Sequence, residues 1–297
     1  MQLSRKGNIM KYFLLLFTLL FGSLLNAAPT VTVSILPQKY FVEQIAKDFL
    51  HVNVMVAPGA NQHTYEPKPA QMKELAKSDA YFSIGDGFEK AWLPKFKSSN
   101  PKMLMVDSVK GIEKIAMAEH HHEGEKKDAH HDHEEESLDP HVWLDPILVK
   151  TQAKNIYDAL VILYPAQSAE FTKNYETFIA SLDALDASIQ TTLAEVKSRK
   201  FIVFHPSFGY FAKRYELEQI AIEVSGKEPK PSELATIIKE AKEENAKVVF
   251  VAPQFSQKSA ISIAKQINGK VLPIDPLAYA WSENLLSIAK TFQSELK

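Results

Sequence analysis

Apolar residues alternate with polar ones, or gather into short runs, at a regular pitch along this chain. The stretch VTVSILPQ (31–38) reads as a strand entering a helix over 39–49, and VNVMVAP (52–58) as a second strand closed by a Pro-Gly turn. A helix over 69–77 and a strand over 80–84 follow. Further on, KFIVFH (200–205), EQIAIEV (218–224), KVVFVAP (247–253) and KVLPID (270–275) read as strands, with helices over 207–215, 231–245 and 256–267 between them. Short apolar runs separated by amphipathic helices predict parallel sheets covered on both faces. Between 168 and 198 there is neither proline nor glycine, and Phe171, Tyr175, Phe178, Leu182, Leu185, Ile189, Leu193 and Val196 recur at spacings of three and four. That pattern predicts one long amphipathic helix of about 45 Å. A coiled-coil arm is the competing reading, and the α/β pattern on both sides speaks against it.

The fold class expected is therefore α/β, with two similar lobes, each a parallel-type sheet flanked by helices. The boundaries are an N-terminal lobe over 29–165, a connecting helix over 166–199 and a C-terminal lobe over 200–297. Open α/β sheets bind ligands beyond the carboxyl ends of their strands, so a cleft between the lobes is the expected place of function.

Two segments break the alternation. Lys11 is followed by a predominantly apolar run from Tyr12 to Leu25 and by small residues at Ala27 and Ala28. This reads as a secretory signal over 1–28, with Met10 as a possible alternative start. A retained membrane anchor is disfavoured, because the run falls short of the roughly 20 residues a span needs. The second segment, EHHHEGEKKDAHHDHEEE (119–136), carries six histidines, eight acids and no large apolar residue. It cannot offset its ordering entropy by burial and is expected to be a solvated, mobile loop inserted in the first lobe.

Composition narrows the chemistry. At 297 residues and 45% hydrophobic content the chain can bury a substantial core. A net charge of -2 gives no basic excess for a phosphate backbone, so no nucleic-acid partner is expected. The absence of cysteine excludes disulfides, thiolate zinc clusters, iron–sulfur centres and lipid attachment at a cysteine. Any metal site must use imidazole, carboxylate, backbone oxygen or water.

Outside the acidic loop every histidine but His51 lies at a strand end or in a cleft loop with proline nearby. His63 is in PGANQHTYEPKP, His141 in LDPHVWLDP and His205 in FIVFHPSFGYF. Asp275 ends the last predicted strand, in LPIDPL. Three neutral imidazoles and one oxygen make a tetrahedral, nitrogen-rich site suited to Zn2+, the fourth position going to Asp275 or to water. Asp275 has a plainer reading as a turn-forming Asp-Pro. His120, His121, His122, His130, His131 and His133 form either a weaker accessory zinc-gathering set or part of a solvated spacer.

At these same four segments the sequence resembles the metal-receptor family of bacterial ABC importers for zinc and manganese, and within it the zinc-uptake receptors of the periplasm. The resemblance covers essentially the whole chain after the signal. It implies two lobes on a rigid long helix, little hinge closure, a metal held in the cleft, and delivery to a membrane permease driven by an ATPase. It also implies a periplasmic location; we expect a monomer without a retained anchor. Manganese-selective relatives usually carry glutamate where this chain has His205, and a histidine-rich acidic loop is a mark of the zinc branch, so zinc is favoured over manganese or another divalent metal. An extracellular zinc hydrolase is the alternative from another class; HExxH and GxSxG are absent, and no enzyme is expected. A surface adhesin, binding host ligands independently of metal, is the third reading.

Overall fold

The computed structural model describes residues 28–117, 138–223, 229–244 and 246–296. The signal expected over 1–28, save its last residue, lies outside the described residues, as does the segment containing His120, His121, His122, His130, His131 and His133.

The first sheet comprises β1 (Thr30–Val33), β2 (His51–Val54), β3 (Ala80–Ser83) and β4 (Leu104–Asp107), arranged β2-β1-β3-β4 with every pair parallel. Its helices are α1 (Leu36–Ala46), α2 (Pro69–Leu75) and α3 (Gly87–Ser99). Two more helices follow, α4 (Pro146–Leu163) and α5 (Ser168–Leu193). The second sheet repeats the first: β5 (Lys200–Val203), β6 (Glu218–Ala221), β7 (Val248–Val251) and β8 (Lys270–Pro273), arranged β6-β5-β7-β8 and again parallel. It carries α6 (Gly209–Arg214), α7 (Pro231–Glu243), α8 (Gln257–Gln266) and α9 (Trp281–Glu295). The α/β class with two parallel sheets is as expected. Among the elements, α3, β4, α4 and α9 go beyond those the apolar pattern assigns.

The inner strands are buried on both faces, which is why they read as apolar runs. Successive residues of β5 serve different cores: Phe201 and Val203 join the large one, and Ile202 the smaller one on the opposite face. The large core runs unbroken from Val31 and Phe82 through Phe178 and Leu182 of α5 to Phe250 and Phe292.

The long helix stops five residues before its expected end at 198. Past Leu193 the chain turns, and the backbone N–H groups of Lys197 and Ser198 are taken up by the Leu296 carbonyl at 3.3 and 3.4 Å. Capture by the end of α9 replaces the last helical turn. At 26 residues, α5 is about 39 Å long.

The lobes are stitched by two indoles. Trp143 Nε1 donates to the Pro276 carbonyl and Trp281 Nε1 donates to the Trp143 carbonyl, both at 2.8 Å. Phe41 of α1 meets Trp281 edge-on at 5.0 Å, and the Tyr40 hydroxyl bonds the Ser282 hydroxyl at 2.9 Å. Among the described residues no helix is long and apolar enough to cross a membrane.

Candidate metal centre

Both sheets present their carboxyl ends to the same place. After β2 the chain turns at Gly59, whose φ of 75° suits glycine, and enters a short 3-10 turn, Gln62–Thr64, capped by Asn61, whose side chain accepts from His63 N at 2.8 Å. His205 lies two residues beyond β5. His141 precedes a second 3-10 turn, Val142–Leu144, and is fully buried.

The ligand atoms of these three histidines lie within 4.8 Å of one another, and no carboxylate joins the group among the described residues. His63 Nε2 and His205 Nε2 are 2.9 Å apart. The Gln62 carboxamide nitrogen sits between two rings, 3.1 Å from His63 Nε2 and 3.3 Å from His141 Nε2.

The opposite nitrogen of every ring meets a carboxylate. His63 Nδ1 lies 3.2 and 3.1 Å from the two oxygens of Asp86. His141 Nδ1 is 2.7 Å from Asp139 Oδ1, which also accepts from His141 N at 2.8 Å. His205 Nδ1 is 2.5 Å from Glu223 Oε2. Such pairs fix the ring tautomer with Nδ1–H outward and the Nε2 lone pair inward, and they raise the basicity of the inward nitrogen. Packing holds the rings as well: His205 stacks on Phe255 at 4.5 Å and 20°, and His141 sits 5.2 Å from the Trp143 ring.

The Asp86 loop is itself anchored. The buried Glu89 carboxylate accepts from Ile84 N at 3.0 Å, from Gly85 N at 2.7 Å and from the Ser34 hydroxyl. Burial works to raise the Asp86 carboxyl, but the hydrogen bond and charge of His63 outweigh it and hold the group below its usual value. Asp139 goes the other way: burial pushes it up to about 7, against the pull of the His141 backbone bond. Burial, with the neighbouring His205 and His63, holds His141 well below the ordinary histidine range. His141 is therefore held as the neutral imidazole, the form that ligates a metal.

Asp275 is not brought into this group. It follows β8, where its Oδ1 accepts from Leu277 N and from Gln254 Nε2, both at 2.9 Å. The local bond two residues on is an Asx turn, the geometry of the plainer reading. Sequence reasoning misses Asp86, Asp139, Glu223 and Gln62. Asp139 had a readable signal, an acid two positions before a histidine in a Pro-containing turn. Asp86 reaches its ring from beyond β3, which β1 separates from β2, and Glu223 from beyond β6, the neighbour of β5, 23 and 18 residues away in sequence.

Residues 31–295 match the family described as zinc-uptake complex component A, periplasmic, ZnuA. The chain belongs to this family. ZnuA of Bacillus subtilis, a high-affinity zinc uptake system protein, is 31% identical over 251 residues, covering 83% of this chain and 78% of that protein. The zinc-binding protein AdcA of Streptococcus pyogenes is 30% identical over 258 residues, covering 83% of this chain and 50% of AdcA. The chain thus spans about half the length of its AdcA relatives. Two solved ZnuA structures, one of them a deletion mutant with zinc bound, superpose with a TM-score of 0.83 over 91% of this chain, at 42% and 41% identity, and cover 100% and 98% of those chains. Membership in the ZnuA family agrees with the resemblance carried by the four sequence segments.

Proposed function

We propose that this chain is a periplasmic zinc receptor that binds Zn2+ on His63, His141 and His205 and delivers it to an ABC-type permease powered by an ATPase. One observation carries the reading: three imidazole Nε2 atoms converge while every Nδ1 is held by a carboxylate. A nitrogen triad with its acids placed behind the rings suits zinc better than magnesium or calcium, which call for mostly oxygen donors. The same placement argues against a hydrolase. A metal-bound water there would need a general base, and the three acids nearest the centre are engaged on Nδ1. Water or a side-chain oxygen completes the fourth position; Asp275 reaches it only if its Asx turn opens, and Gln62 already faces two of the ligand nitrogens. The histidine-rich segment is assigned a weaker, accessory capture role, and the receptor is taken to act as a monomer.

Calorimetric titration of zinc into the intact protein, a variant lacking 119–136, and His205→Ala tests the proposal. Tight one-to-one binding that survives the deletion and is lost in H205A is expected. Binding lost with the segment but intact in H205A would place the tight site elsewhere. Turnover of ester or peptide substrates by the zinc-loaded protein would favour the hydrolase, and metal-independent capture of a host ligand the adhesin.

A further inference from the structure

Close to the three rings a phenol adds a second tie between the lobes, beside the Trp143 and Trp281 indoles. Tyr210 belongs to α6, five residues after His205, and is 3% exposed. Its hydroxyl accepts from Ile115 N at 3.1 Å and donates to the Asp139 carbonyl at 3.0 Å. Those partners are the two arms that flank residues 118–137. Ala116 pairs with Leu138 in an antiparallel bridge, and Asp139 N donates to the Ile115 carbonyl at 2.9 Å. One side chain from the second lobe thus grips both arms of a first-lobe segment.

Each end of this link leads directly to a ring. Asp139 Oδ1 holds both His141 N and His141 Nδ1. On the other side, the stretch between His205 and Tyr210 is clipped by Gln219 of β6. Its Oε1 accepts from Phe208 N at 3.0 Å, and its Nε2 donates to the Pro206 carbonyl at 3.4 Å. The approach is close enough to exclude a side chain at position 209: a Cβ on Gly209 would lie 2.6 Å from Asp139 Oδ2. Burial pushes the Tyr210 phenol up to about 12, so it remains a donor across the physiological range.

We infer that Tyr210 is a positioning residue of the metal centre, fixing His141 of one lobe at the distance from His205 of the other that a single ion requires. The inference rests on the reading of the three histidines as zinc ligands. Its physical basis is the narrow tolerance of such a site. Zn–N bonds of about 2.0–2.1 Å in a tetrahedron place ligand nitrogens roughly 3.3 Å apart. A displacement of about 0.5 Å in one ring spoils that geometry. The Trp143 and Trp281 indoles tie the lobes two residues past His141; on the Asp139 side of His141 every other part of the link is backbone or is local to one lobe, so the Tyr210 hydroxyl is the atom whose removal should let the two rings drift.

The test is Tyr210→Phe, which deletes one oxygen and leaves the buried ring in place. Ser282→Ala serves as a control because it removes an interlobe hydroxyl bond of the same kind, with Tyr40, on α9. Three readouts are compared: zinc affinity by chelator competition, the visible absorption of the Co2+-loaded protein, and amide hydrogen exchange at Ile115 in metal-free protein. Y210F is expected to bind zinc about tenfold more weakly, the low end for partners behind a metal ligand. It should also change the Co2+ bands and lose protection at Ile115, while S282A keeps wild-type affinity and spectrum. Loss of Ile115 protection with unchanged affinity and spectrum would overturn the inference, as would retained protection or an equal effect in S282A. Wild-type protein that binds no zinc would overturn the metal-site reading and this inference with it; tight wild-type binding beside an unaltered Y210F overturns the inference alone.

Discussion

Replacing Asp139 by asparagine is expected to move stability and metal affinity in opposite directions. In metal-free protein the Asp139 carboxyl is buried, its Oδ2 has no hydrogen-bond partner, and burial pushes it from 3.8 up to about 7. A carboxyl raised in this way binds more protons folded than unfolded. Its contribution to stability is present in full below 3.8 and is lost as pH climbs through about 7. At ~1.36 kcal/mol per pH unit, that span sets an upper figure of about 4 kcal/mol. Asparagine does not ionise, and its Oδ1 can still accept from His141 N. Metal-free D139N should therefore gain on the wild type between pH 4 and 7, by at least ~1 kcal/mol and at most the upper figure, and hold that margin at higher pH. Zinc affinity should fall by about 10- to 100-fold, because the negative charge behind His141 is gone. Urea unfolding of chelator-treated protein across that pH range, paired with competition titrations at pH 7.5, measures both. A stability difference that does not change with pH, or an affinity that matches the wild type, would refute the account of Asp139 as a buried charge kept for the metal.

Other consequences can be checked with equally simple assays. Glu223→Gln leaves a hydrogen-bonding group on His205 Nδ1 but removes its charge, and zinc affinity measured by competition should drop about 10- to 100-fold with little change in fold. Gly209→Ala forces a methyl group against the Asp139 carboxylate; thermal unfolding should show a loss of about 1–3 kcal/mol, and metal affinity should fall with it. Zinc at about a thousand times its dissociation constant should stabilise the protein by about 4 kcal/mol in calorimetric melts, an increment that a chelator abolishes and that H205A never shows.

Much of the fold was legible because it is written in the apolar pattern. Parallel strands buried on both faces leave runs such as VVFV of β7, and the periodic ridge of α5 is uninterrupted by proline or glycine. The parts that escaped lack such marks. In α3 a proline, Pro94, sits inside the helix, and its buried positions include Glu89, which a hydropathy pattern places outside. The end of α5 is set by a carbonyl more than 90 residues away in sequence, which no local window contains. The three histidines were legible because isolated histidines are scarce once the acidic run is set aside. Their orienting acids were not: 36 Asp and Glu residues leave no way to choose Asp86 and Glu223 before the strand order is known. Asp275 shows the converse limit, since an Asp-Pro at a strand end satisfies both a ligand pattern and a turn, and here the turn holds its Oδ1.

The unbroken core through α5 and the paired indoles of Trp143 and Trp281 leave the two lobes little freedom to open and shut. In the role proposed above, so stiff a frame has nearly one silhouette, filled or empty, unlike a clamshell whose closed form announces its cargo. Any membrane partner that docks on the outside then meets empty and filled copies as near-equal competitors. Overproducing the carrier while zinc is scarce should therefore slow uptake rather than speed it.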